Sequence, residues 1–183
     1  MIQEPRSADY GALAKSFHWL IVILLAAQFA IGWSMPHIGP RTQPETLINL
    51  HFSVGALILL VVLARLAWRM THPVPPLVDD SRLWQQRLAQ MTHFLLYALL
   101  LIIPVLGWMS ASGRAFTVSL FGLFELPSLL PPKHPWTSPL GDLHDFLSTY
   151  ALLGLVGLHV VAALYHHFLL RDRTLARMLP RLG

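Results

Sequence analysis

No cysteine occurs anywhere in this chain. Its absence excludes disulfides, thiolate zinc sites, iron–sulfur clusters and covalent c-type haem attachment. Charge is scarce too. Only 12% of the 183 residues are Asp, Glu, Lys or Arg, about half the share usual in soluble domains. The GxGxxG and GxxxxGK[ST] phosphate loops are missing, and so is the HExxH zinc helix. No basic patch interleaved with aromatics is present, so no nucleic-acid partner is expected. The formal net charge of +4 comes from basic residues that bracket apolar segments.

Apolar length and histidine are what the chain does have. It is 55% hydrophobic, with a mean hydropathy of +0.55. Four apolar blocks cover residues 14–35, 47–68, 88–110 and 140–170. Each reaches the roughly 20 residues a membrane-spanning helix needs. The first is too long for a signal-peptide core and is followed by WSMPH rather than a small-residue cleavage site, so it reads as a retained helix. Proline-rich linkers separate the blocks. In the third linker, VSLFGLFELPSLL is expected to lie along the membrane surface. Pro104 is expected to kink the third helix. The fold class that follows is all-α: one integral membrane domain, residues 1–183, built as a four-helix bundle in the lipid bilayer.

Basic residues set an expected orientation. Arg6, Lys15, Arg65, Arg69, Arg82, Arg87, Arg171, Arg173, Arg177 and Arg181 gather at one end, against Arg41, Arg114 and Lys133 at the other. The positive-inside rule puts both termini in the cytoplasm. The first and third linkers then face the periplasm of a Gram-negative cell.

Ten histidines sit in this apolar chain. With that orientation, His51 and His144 fall near the periplasmic side, and His18 and His159 near the cytoplasmic side. An intramembrane imidazole needs a partner and is a functional candidate by default. A lone membrane histidine serves equally well as an interhelical hydrogen-bonder, but four matched at two depths suit two b haems. Each haem takes one axial ligand from each of two facing helices. His144 and His159 are fifteen residues apart, about 22 Å of helical rise and about 60° from a shared face. A bulge, bend or tilt between them, near Gly154 or Gly157, is therefore expected. Arg65, fourteen residues after His51, is a candidate propionate partner; the alternative is a snorkelling arginine. Gly32 is a candidate for clearing haem space. His93 is read as bonding a propionate, a quinone or backbone. His166 is either a quinone contact or an interfacial cap. His167 is read as interfacial, and His37, His72 and His134 as solvated.

SFHWL (Ser16–Leu20), NLHFSVG (Asn49–Gly55), HFLLYALLLIIPVLGW (His93–Trp108), LHDFL and GLHVVAALYHHFLLRDRTLARMLP together resemble the bacterial di-haem cytochrome b561 family along nearly the whole chain. The resemblance implies two bis-histidine b haems, with His18 and His159 on the cytoplasmic haem and His51 and His144 on the periplasmic one. It implies a multi-pass protein of the bacterial inner membrane. Some members of the family are similar to superoxide oxidases, which pass electrons from periplasmic superoxide to ubiquinone. Likeness to those members implies a quinone pocket at Ser16 and His166, with Lys15 nearby to stabilise negative charge. Arg41, Arg114 and Lys133 are candidates for attracting superoxide. Two other functions remain open here. One is a b-type electron-transfer subunit or membrane anchor that links the quinone pool to a partner redox protein. The other is a histidine-lined transporter.

Overall fold

A computed structural model describes residues 10–39, 42–72 and 83–179. Four long helices account for most of them. Helix α1 is Ala12–Ser34, α2 Thr46–Thr71, α3 Leu83–Gly113 and α4 Thr137–Leu170. All four are long and apolar enough to cross a membrane. Large apolar side chains on them point outward: Ile23 is 63% exposed, Phe94 70% and Val161 63%. Such exposure is adverse in water and ordinary in hydrocarbon, and it marks the chain as a four-helix membrane bundle.

The buried core is small. Ile21 of α1, Val54, Ile58 and Val62 of α2, Leu100 and Ile103 of α3 and Leu152 of α4 form one cluster. The helices pack in sequence, α1 on α2, α2 on α3 and α3 on α4. Among the described residues, neither α1 nor α2 makes a close backbone contact with α4. The histidine-bearing faces of α1 and α2 therefore meet α4 through side chains rather than backbone.

Helix α4 changes winding twice. Leu147–Leu152 and His166–Leu170 are π-helical turns. A π-bulge absorbs about one extra residue without breaking the helix. The first lies between His144 and His159. Removing one residue from their fifteen-residue spacing brings the pair to within about 40° of one face, against about 60° in a regular helix. The irregularity expected near Gly154 or Gly157 is thus a wide turn that ends just before Gly154. At 34 residues, α4 is about 51 Å long, against a hydrocarbon core of about 30 Å. It is longer than that layer is thick, which calls for tilt or projection, and it stops where Arg171 turns left-handed (φ 54°).

Two ends of the bundle are now distinct. The hairpin end carries the α1–α2 and α3–α4 connections. There Ser119–Leu120 (β1) pairs antiparallel with Phe124–Glu125 (β2). Ser53 of α2 pins this hairpin: its hydroxyl donates to the Ser119 carbonyl (2.8 Å) and accepts from the Phe121 amide (3.1 Å). Phe121, Leu123 and Phe124 at its tip are 49%, 89% and 63% exposed, so the segment presents apolar side chains outward. The terminal end carries the start of α1 and the last described turn. Arg6, Arg41, Arg82 and Arg181 lie outside the described residues.

Candidate functional site: two facing histidine pairs

Each pair links α4 to a helix with which it shares no close backbone contact. At the hairpin end, His51 of α2 faces His144, with ring centres 6.0 Å apart and planes 77° apart. At the terminal end, His18 of α1 faces His159, with ring centres 6.3 Å apart and planes 67° apart. An imidazole nitrogen binds a first-row metal at about 2 Å. The ring centre lies about 1.1 Å behind that nitrogen, so two imidazoles on opposite sides of one metal have centres about 6.3 Å apart. Both pairs fit that spacing. His93 of α3 also approaches His159, but at 5.4 Å, which is too close to share a metal sandwiched between the rings. The four histidines therefore fit two bis-imidazole irons, and His93 stands beside the terminal pair as a neighbour.

Local chemistry differs between the pairs. His144 donates its Nδ1 hydrogen to the Ile103 carbonyl at 2.8 Å. This fixes the tautomer and leaves the Nε2 lone pair for a metal. Gly107 makes the approach possible: a Cβ there would sit 2.9 Å from Nδ1 and Cε1 of the His144 ring. Pro104 lies in the same stretch of α3. Opposite, the Gln28 amide donates to His51 Nε2 at 3.3 Å and to the His51 carbonyl at 3.1 Å. His51 Nδ1 is buried without a partner. The long Gln28 contact marks the same lone pair an iron would take. Gly32 of α1 backs this ring, with its notional Cβ 3.7 Å from His51 Cε1. A methyl group at Gly32 would meet the ring at ordinary van der Waals distance, so the glycine lies beside His51 without being required by it.

At the terminal end Arg65 donates from Nη1 to His18 Nδ1 at 3.3 Å. A second cation, Arg69, stands close by. Arg65 and Arg69 both lie over the Tyr97 ring, at 5.8 and 5.6 Å, and the Tyr97 hydroxyl is buried and unpartnered. Two guanidiniums and a free hydroxyl beside the histidines suit the carboxylates of a haem.

The remaining site candidates also gather at the terminal end. Lys15 is buried and donates from Nζ to the Leu179 carbonyl at 3.0 Å. Ser16 is exposed on the first turns of α1. His166 donates from Nδ1 to Asp172 Oδ2 at 2.5 Å. Partial burial pushes the Asp172 carboxyl up, but hydrogen bonds from His166 and Thr174 outweigh it and hold the group below its ordinary 3.8. His167 packs on Phe168, and His72 stacks on Trp68 at 3.4 Å. His134 accepts from the Trp136 amide.

A cavity of about 1010 Å³ opens at the hairpin end. Asn49, Leu50 and Ser53, all within two residues of His51, form part of its wall, and Arg114, Lys133 and Glu125 supply charge. Ala115, Phe121 and Lys133, which also line it, have φ of 62°, 53° and 61°. Such backbone conformations are costly for residues other than glycine.

Sequence reasoning missed the partners of the histidines. Gln28 lies in no quoted motif. Tyr97, Gly107 and Asp172 lie within segments that carry the family resemblance, but nothing there marked them as histidine partners.

An apolar four-helix bundle with two opposed histidine pairs defines a membrane electron-transfer haem protein. The model of the prokaryotic cytochrome b561 family matches residues 9–181, and the chain belongs to that family. It is 32% identical to the probable superoxide oxidase CybB of Yersinia pestis over 94% of this chain and 96% of that one. It is 31% identical to cytochrome b561 homolog 2 of Escherichia coli K12, over 94% and 92%. It is 28% identical to cytochrome b562 of Cereibacter sphaeroides, over 99% and 100%. The family binds haem b and transfers electrons. The chain is accordingly a multi-pass haem protein of the bacterial inner membrane.

Proposed function

We propose that this protein oxidises superoxide at the periplasmic, hairpin end and reduces ubiquinone at the cytoplasmic, terminal end. Two superoxide anions each lose one electron and become dioxygen. One ubiquinone gains two electrons and two protons and becomes quinol. Two b haems would supply the one-electron chemistry between the ends, held by His51 and His144 at one level and by His18 and His159 at the other.

The observation that carries the reading is the pair of opposed histidines repeated at two levels, 6.0 and 6.3 Å between ring centres. Two imidazoles per iron leave no position for a diatomic ligand, which favours electron transfer over oxygen binding. Arg65 and Arg69 neutralise carboxylates at the terminal level. Arg114 and Lys133, in the walls of the hairpin-end cavity, raise the arrival rate of a small anion, and Glu125 offsets part of that field. At the opposite end, the Ser16 hydroxyl and the His166 imidazole hydrogen-bond a quinone, with Lys15 steadying developing negative charge. The choice of superoxide as donor draws its support from the Yersinia pestis relative.

Stopped-flow mixing of the oxidised protein with superoxide tests the reading. Haem reduction should outrun spontaneous dismutation, and added ubiquinone should reoxidise the haems. Reduction no faster than dismutation would reject superoxide and favour a protein electron donor.

A further inference from the structure

The terminal end contains a histidine–carboxylate pair that the haem level does not use. His166 opens the second π-turn of α4, and Arg171 closes it in the left-handed region. That reversal sends the chain back along its own end: the Asp172 amide donates to the His166 carbonyl at 3.1 Å. The side chains then meet a second time. Asp172 Oδ2 accepts from His166 Nδ1, while Oδ1 accepts from the Thr174 amide at 2.8 Å. One carboxylate oxygen is thus tied to backbone and the other to imidazole. Both side chains are about one-fifth exposed, 23% for His166 and 20% for Asp172.

The turn is anchored from α1. Lys15 Nζ bonds the Leu179 carbonyl (3.0 Å), and Trp19 Nε1 bonds the Met178 carbonyl (2.9 Å). The Arg177 guanidinium, 5% exposed, lies over the Tyr10 ring at 5.7 Å. The same latch sets the turn against the α1 segment that carries Lys15 and Ser16.

We propose that Asp172 is a positioning residue for quinone reduction: it holds the His166 ring by Nδ1–H and so presents Nε2–H to a quinone oxygen as the proton source. The proposal rests on the quinone reading above. Both electrons come from the superoxide oxidised at the other end. In the proton step the Nε2–H bond of the imidazolium breaks and an O–H bond forms on the quinone oxygen. The neutral ring then takes a proton from cytoplasmic water and delivers the second. A carboxylate on the far nitrogen fixes the ring orientation, the arrangement common to carboxylate–histidine pairs. Other charged or titratable groups on the elements packed against α4 or tied to the turn are Tyr10 just before α1, Lys15 on α1, Arg87 and His93 on α3, and Tyr165, His167, Arg171, Arg173 and Arg177 beside the pair. Of these, Tyr165 sets its ring edge-on to His166 at 6.1 Å.

The test uses the purified holoprotein reduced with dithionite, then mixed with a short-chain ubiquinone analogue, so the superoxide step plays no part. For Asp172→Asn, haem content should stay at the wild-type level and KM should change less than about twofold. The rate should fall about tenfold at both pH 6 and pH 8. Asp172→Glu should recover at least half of the lost rate. In a His166→Gln background, Asp172→Asn should have no further effect. A downfield Nδ1–H proton resonance, assigned by its loss in His166→Gln, should also vanish in Asp172→Asn. Full rate in Asp172→Asn at both pH values, or additive loss in the double variant, overturns the positioning role and leaves the quinone reading standing. If the wild-type protein itself fails to reduce the analogue, the quinone reading falls and this inference falls with it. Should Asp172→Asn fail to fold, Asp172→Glu and the resonance decide: a resonance unchanged when the carboxylate is moved overturns the proposal.

Discussion

The two histidine levels match in spacing and differ in preparation. At the hairpin end, His144 already donates to a backbone carbonyl through Nδ1, so its metal-binding nitrogen is set before any metal arrives. At the terminal end, Arg65 donates to His18 Nδ1. That contact favours the opposite tautomer and must release before His18 binds iron through Nε2. At the hairpin level one histidine is fixed by backbone, which cannot move away, and only the neutral Gln28 amide must leave His51 Nε2; at the terminal level the contact to release is a long, charged side chain. With one histidine already set, the hairpin level should load haem more readily and hold the steadier potential. The terminal level should be the adjustable one, with its cations turning to the haem carboxylates as ligation forms.

The largest effect should come from removing a ligand. His159→Ala should lower haem content from two per chain to one and leave the hairpin level intact. His144→Ala should do the converse. A pyridine haemochromogen assay with low-temperature spectra distinguishes the two, and equal loss at both levels in either variant would mean that the two pairs do not hold separate haems.

Gly107→Leu comes next. Its Cβ must occupy space within 2.9 Å of the His144 ring, pushing His144 off the Ile103 carbonyl. Loss of such an orienting contact typically costs about 10- to 100-fold in metal affinity. Haem titration of the apoprotein should show that loss at the hairpin level alone.

A smaller effect is expected from Arg65→Leu. Both haems should remain, and the terminal-level potential should fall by an amount on the order of tens of millivolts, because a nearby positive charge that favours the reduced form is gone. A potentiometric titration reads this, and an unchanged potential would mean that Arg65 does not attend the haem.

The smallest concerns pH. The Asp172 carboxyl titrates below its ordinary 3.8. A lowered carboxyl contributes stability at pH values above its unfolded value and loses it as pH falls through the folded one. Hydrogen exchange of the Asp172 and Thr174 amides should thus be constant from pH 7 down to the unfolded-state range, after correction for intrinsic rates. Protection should be lost only below about 3.8. The hairpin end should show no such transition, since Asp172 belongs to the terminal turn.

Much of this was legible in the sequence because lipid imposes a simple code. Apolar length predicts helices, prolines mark their ends, and histidines in an apolar run demand partners. Even the misfit was legible: fifteen residues between His144 and His159 required an irregular turn, and Leu147–Leu152 supplies it. The type of turn was not legible, because LSTYAL contains no proline or glycine to announce it. The histidines' partners were hidden for a related reason. Gln28 and Gly107 matter through close approach between helices, which depends on how two helices cross rather than on either sequence. Asp172 reaches His166 only because Arg171 adopts a left-handed turn, and arginine gives no hint of one.

The latch between α1 and the last turn has a consequence for biosynthesis. Lys15 and Trp19 leave the ribosome 164 and 159 residues ahead of their carbonyl partners at Leu179 and Met178. The end that would meet quinone cannot close until those partners have been made, so a chain cut between His159 and Met178 would carry all four paired histidines and still lack this closure.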